Sequence, residues 1–179
     1  MNRSNKIFKT VFSALFLALA YVLPFLTGQV PEIGSMLCPM HIPVIICGYI
    51  CGGPWGALVG LIAPLLRSLT IGMPPLFPTA VCMAFELATY GAVSGVMHRL
   101  LPRKKPYVYC TLITAMLLGR VVWGASMLAI TTVNGGSFGF SAFLAGAITN
   151  AIPGIVLQLA LIPVVIIILE NTKAIKNRL

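Results

Sequence analysis

Three ionisable side chains lie inside long apolar runs of this chain: Arg67 in "LIAPLLRSLTIG", Glu86 in "AVCMAFELATYGAV" and Arg120 in "AMLLGRVVWGAS". A charge in hydrocarbon costs at least about 2.5–3.5 kcal/mol, so such residues face a bundle interior or a water-filled cavity. Their chemistry is recognition. An arginine fork matches a carboxylate or phosphate, and a buried carboxylate is usually paired. Glu86 can pair with Arg67 and lock the bundle. Arg120 then has no acid, because Glu32 lies in a loop, Glu170 lies at the far end of the last span and Asp is absent. Either backbone carbonyls and amides hold Arg120, or it waits for an anionic or strongly accepting ligand.

Further polar and aromatic groups fall at similar depth. At about 1.5 Å per residue, Glu86 lies about 10 Å, Asn150 about 13 Å and Arg120 about 15–20 Å below one face, with Arg67 within about 6 Å of it. All four can border one cavity open to that face. Tyr90 follows Glu86 by one turn and Trp123 lies one turn from Arg120, which adds an aromatic wall. In "TNAIPGIVLQL" Asn150 precedes Pro153 and Gly154. The kink expected there either only packs or brings an amide and a freed carbonyl to the pocket. Gln158 is deeper and reads as a hydrogen-bonding link between helices. His41 stands at the mouth of the second apolar segment, as a donor to the ligand or as a helix cap.

Catalysis and metal binding find little support. Nucleophilic chemistry needs a nucleophile beside a base, and Ser137 in "GGSFG" has no His nearby in sequence. His98, next to Arg99, reads as an interfacial residue. "GGPWG" lacks the Lys-Ser/Thr of a phosphate loop, so no energy-consuming motor is encoded. In "CPMHIPVIICGYICGGPWG" the spacings Cys38–His41 and Cys47–Cys51 suggest metal ligands. They lie in an apolar run without a carboxylate, where cysteine packs as a small hydrophobe. No metal, no cofactor and no enzymatic activity are expected.

The elements that must position these residues are membrane helices. Of 179 residues 59% are hydrophobic and only 8% are charged, and the mean hydropathy is +1.00. A soluble domain carries about 25% charged residues. Six spans are expected over 8–26, 41–51, 57–71, 79–101, 107–133 and 141–169, forming an all-α integral membrane protein with a single domain over 1–179. The second and third spans are short and are separated by "GGPWG", as in segments that line a cavity. The basic start followed by "TVFSALFLALA" resembles a signal peptide, but its apolar run continues through "YVLPFL" and is expected to remain as a helix. The net charge of +9 would fit nucleic acid, but ten of the twelve Lys and Arg residues cluster at 3–9, 99–105 and 173–178, each beside an apolar run. That is the positive-inside pattern, so both termini are expected in the cytoplasm.

Six spans in about 180 residues, Ala14-x-x-x-Ala18 in the first, and "HIPVIICGYICGGPWGALVGLIAPLLRSL" as second and third helices together resemble the substrate-binding S component of energy-coupling factor (ECF) transporters. The resemblance covers nearly the whole chain. It implies a protein of the bacterial plasma membrane that binds a vitamin, a vitamin precursor or a metal ion from outside, covered by the loops between spans one and two and spans five and six. It also implies docking through Ala14 and Ala18 on a coupling transmembrane subunit that carries two cytoplasmic ATPases, then toppling to release cargo. Read from the residues alone, the small-xxx-small face serves docking or packing within the chain. The family's metal carriers use an N-terminal histidine, absent here before His41, which favours an organic cargo such as pantothenate, a folate- or flavin-like compound or a cobalamin precursor. Pocket residues vary in the family, so Arg67, Glu86, Tyr90, Arg120, Trp123, Asn150 and His41 remain the expected substrate site. With two Arg against one Glu, that site favours a carboxylate, a phosphate or several carbonyls. The competing class is a non-transport polytopic protein, either a scaffold or an intramembrane enzyme using Glu86.

Overall fold

A computed structural model describes residues 3–27, 36–102, 105–136, 139–147 and 149–171, with the side chains of Thr27, Ala147, Asn150, Glu170 and Asn171 left aside. Its elements are α1 (Arg3–Val22), α2 (His41–Cys51), α3 (Gly53–Ile71), α4 (Val81–Leu100), α5 (Lys105–Val133), α6 (Phe140–Ala147) and α7 (Ile152–Asn171). Five segments are long and apolar enough to cross a membrane: Arg3–Leu26, Gly53–Ile71, Leu76–Leu100, Lys105–Val133 and Ile152–Leu169. The short α2 is the sixth apolar helix. It has 11 residues, so it rises about 16 Å, half of a hydrocarbon core of about 30 Å.

All eleven residues of α2 are buried. It is a central half-helix wrapped by α1, α3, α4, α5 and α7, and its sequence shows why. It is apolar on every side, as a helix buried all round must be. Pro43 falls in its first turn, where a missing N–H is tolerated.

α2, α3 and α4 meet through glycine. A methyl group at Gly91 would strike the Gly56 backbone, one at Gly56 the backbones of Gly48 and Gly91, and one at Gly60 the Leu87 carbonyl. Such small residues let helix backbones approach closely where lipid offers no hydrophobic drive for packing. The Ser94 hydroxyl fastens the seam, 3.1 Å from the Gly91 carbonyl oxygen and 3.3 Å from that of Ile45. Beside it, the Tyr49 hydroxyl donates to the Val108 carbonyl at 2.8 Å, tying α2 to α5.

Two breaks differ from the sequence reading. The break expected across "GGPWG" shrinks to Gly52, whose φ of 96° suits glycine. α3 begins at Gly53, because Pro54 sits in its first turn, where a fixed φ favours helix. The expected single span over 141–169 is interrupted: α6 ends at Ala147, a 3-10 turn covers Thr149–Ala151, and α7 starts at Ile152. Pro153 is therefore near a helix start rather than at a kink. Gly154 admits a neighbour, since a methyl there would meet the backbone of Met36 and Leu37.

The bundle has two distinct ends. At one, the Arg99 guanidinium lies against Gly52, where α2 ends. There a cation meets the negative end of the helix dipole. His98, expected at an interface, is buried there with its ring 5.0 Å from that of Tyr49. At the other end α2 begins, beside the outermost turns of α4 and the middle of α5.

Candidate functional site

Glu86 is on the second turn of α4, with a side chain only 2% exposed. Arg120 comes from α5, and its Nη1 forms an ion pair with Glu86 Oε1 at 3.0 Å. His41, the first residue of α2, places Nε2 3.5 Å from the same oxygen and is equally buried. Tyr90, one turn below Glu86, sets its ring edge-on to His41 with centroids 5.1 Å apart. A methyl at Gly119 would meet the Tyr90 ring, so a bare backbone on α5 makes room for it. Three helices thus bring together four of the expected residues: His41, Glu86, Tyr90 and Arg120.

Helix length explains how Glu86 and Arg120 meet. Glu86 is five residues into α4 and Arg120 thirteen residues before the end of α5. At about 1.5 Å per residue, α5 therefore overshoots α4 by about 12 Å at this end. The start of α2 contributes too. The positive end of its helix dipole lies there, which favours a carboxylate where Glu86 stands.

The expectation that Arg120 lacks an acid is corrected: its acid is Glu86. The Glu86–Arg67 pairing is not formed among the described contacts. Arg67 instead donates from Nη1 to the Tyr21 carbonyl at 2.9 Å and lies over the Phe25 ring at 5.0 Å. Tyr21 is in the last turn of α1, where carbonyls have no helical partner. A guanidinium is a natural cap for them. With Arg67 removed, Glu86 and Arg120 balance each other, and the expected net +1 at the site is also corrected.

Trp123 is placed against α6, stacked with Phe143 at 6.4 Å between centroids and covered by Gly146. The Asn150 side chain lies outside the described residues. Gln158 is buried on α7, and its Oε1 has no hydrogen-bond partner among the described residues. Ala14 and Ala18 are exposed on one stripe of α1 with Ile7, Val11 and Val22, leaving that face free for a partner or lipid.

The sequence reading set Cys38 aside as a packing cysteine. Arg120 Nη2 points to its sulfur at 3.7 Å, a weak acceptor. The residue lies just before α2, is buried, and has φ of 48°, a left-handed conformation uncommon outside glycine. Burial pushes the Cys38 thiol above its ordinary range and the Arg120 charge offsets part of this, so a neutral thiol faces the guanidinium. Nothing local in the sequence signals this contact, because it joins residues 82 apart.

The constellation is a buried, charge-balanced polar floor. Only Arg120, with a side chain 16% exposed, reaches beyond it. It can present N–H donors held in fixed directions. The family model described as ECF transporter, substrate-specific component, matches residues 8–166. No curated protein and no solved structure matches the chain.

Proposed function

The chain belongs to the ECF transporter substrate-specific component family, and from that premise we propose that it captures a vitamin or vitamin-like organic molecule on the His41–Glu86–Arg120 floor. Members of the family are multi-pass plasma-membrane proteins that take a small-molecule substrate and act with an ECF module. The observation that carries the reading is the ion pair between Glu86 and Arg120, 3.0 Å long and buried between two apolar helices. A pair that only fastened helices could be replaced by apolar residues without loss. Intramembrane charges of this kind mark substrate paths.

In this reading the chain is one unit of six crossings over 1–179, with α2 as a half-length crossing. Both termini are cytoplasmic, as the basic clusters favour. The His41 end then faces outward, and Tyr90 walls the pocket beside Arg120. Trp123 and α6 stand above it, with Asn150 at the start of α7. The exposed Ala14 and Ala18 face of α1 docks on the coupling transmembrane subunit, which two cytoplasmic ATPases drive.

Mass spectrometry of small molecules extracted from the purified full chain tests this reading. An organic metabolite should be recovered and rebind at submicromolar affinity, and Arg120→Ala should abolish rebinding. Copurification with an ATPase module should accompany it. A chain that carries no metabolite from any growth medium and joins no ATPase would overturn the proposal.

A further inference from the structure

We infer that the substrate group received by Arg120 is uncharged: an amide, lactam or similar carbonyl, not a carboxylate or phosphate. This rests on the reading of the floor as a substrate site and goes further by fixing the class of group it accepts.

Four observations converge. First, Arg120 is already neutralised, since Nη1 lies 3.0 Å from Glu86 Oε1. Second, Glu86 cannot easily be drawn aside. Its side chain is 2% exposed and has His41 Nε2 3.5 Å away on the same oxygen. Third, the fork of Arg120 is divided. One arm goes to Glu86 and the other to the Cys38 sulfur at 3.7 Å. End-on bidentate capture of an oxyanion needs both Nη arms parallel, whereas a single carbonyl oxygen needs only one N–H. A thiol is a weak acceptor, so that oxygen can replace it at Arg120 Nη2. Fourth, no second guanidinium restores a positive balance, because Arg67 is committed to the Tyr21 carbonyl at 2.9 Å and to the Phe25 ring.

The charge count then decides the ligand. An oxyanion entering here would stand beside the fixed Glu86 carboxylate with one guanidinium between two negative groups. With the His41 imidazole in its neutral form beside Glu86, one negative charge would be left buried and uncompensated, which is costly. A cationic group would meet Arg120 itself. A neutral acceptor takes up a spare donor and leaves the pair intact. Charge elsewhere on the molecule, away from this floor, is unaffected.

The test measures thermal unfolding of the purified full chain in detergent, in sodium acetate or sodium phosphate against sodium chloride of equal ionic strength. The wild type should not be stabilised by either anion relative to chloride. Glu86→Gln should be, because it unmasks Arg120. A rise in the wild type that Arg120→Gln abolishes would overturn the inference. A rise that Arg120→Gln leaves unchanged places the anion elsewhere and agrees with it. Should Glu86→Gln fail to fold, the wild type and Arg120→Gln still decide. In competition against the extracted metabolite, an analogue whose carbonyl is replaced by a carboxylate should bind at least tenfold more weakly, and equal or tighter binding would overturn the inference. Absence of any metabolite counts against the proposed function, whereas an anion response at Arg120 counts against this inference alone.

Discussion

Removing the charge of Glu86 is the most informative perturbation of the bundle. At 3.0 Å and an effective dielectric near 20, opposite unit charges attract by about 5 kcal/mol. Desolvation of both groups offsets much of this, but breaking a buried pair on one side leaves the partner uncompensated, at about 3–5 kcal/mol. Arg120 keeps 16% exposure, so water relieves part of its charge and the lower end applies. Glu86→Gln should lose about 3 kcal/mol, and Arg120→Met, which strands the more deeply buried Glu86, about 3–5 kcal/mol. The double variant strands no charge and should lose no more than either single one, about 3 kcal/mol at most, which makes the coupling at least about 3 kcal/mol. Equilibrium unfolding in mixed micelles with increasing sodium dodecyl sulfate, followed by tryptophan fluorescence, measures all four proteins. Glu86→Gln combined with Arg67→Met is the control and should be additive, because Arg67 serves α1 instead. A coupling between Glu86 and Arg120 below about 0.5 kcal/mol would refute the energetic role of the pair. Strong coupling of Glu86 to Arg67 would refute the assignment of partners.

Other outcomes follow from single contacts. Arg67→Met removes the donor at the end of α1 and should cost about 1–3 kcal/mol in the same unfolding assay, while metabolite affinity stays within about threefold, a change worth under about 1 kcal/mol. Gly91→Ala must push α3 from α4 and should cost at least about 1–3 kcal/mol. Gly72→Ala has no neighbour within 4 Å and bears only the strain of its φ of 78°, so about 1 kcal/mol is expected, and the order of the two losses checks the seam. Ala14→Trp and Ala18→Trp alter an exposed face and should leave folding unchanged, yet abolish copurification with the ATPase module.

Much of this was legible in the chain. The bounds of α2 stood out, because His41–Cys51 is an apolar run ended by glycine. The charged residues that matter were identifiable from their apolar surroundings alone. Partner choice was not, because depth along one helix says nothing about the offset between helices. Glu86 and Arg120 seemed to lie at different levels until the 29-residue α5 proved to overshoot the 20-residue α4. Proline was misread twice. Pro54 and Pro153 look like breakers in a string, but each sits in the first turn of a helix, where its missing N–H costs nothing. Cys38 was set aside as a packing residue for another reason, since its contact with Arg120 follows from its place in the fold and not from its type.

The two ends of the bundle differ in what they can do. At the Gly52 end, α2, α3 and α4 touch backbone to backbone through Gly48, Gly56, Gly91 and Gly95. Packed cores of this kind do not deform gradually. Opening them would forfeit the contacts of all three helices together. The His41 end is built differently. There α2 simply begins, the chain from 36 to 40 crosses over Gly154 at the start of α7, and α6 lies as a separate short helix against Trp123. Short segments with few mutual contacts open at lower free energy than interlocked helices. In the proposed reading, exchange of a ligand at the polar floor therefore belongs to the His41 end, and the glycine seam is what keeps Glu86 and Tyr90 in register during it. The half-length of α2 suits this division, because a full-length helix would continue past the level at which Arg120 lies.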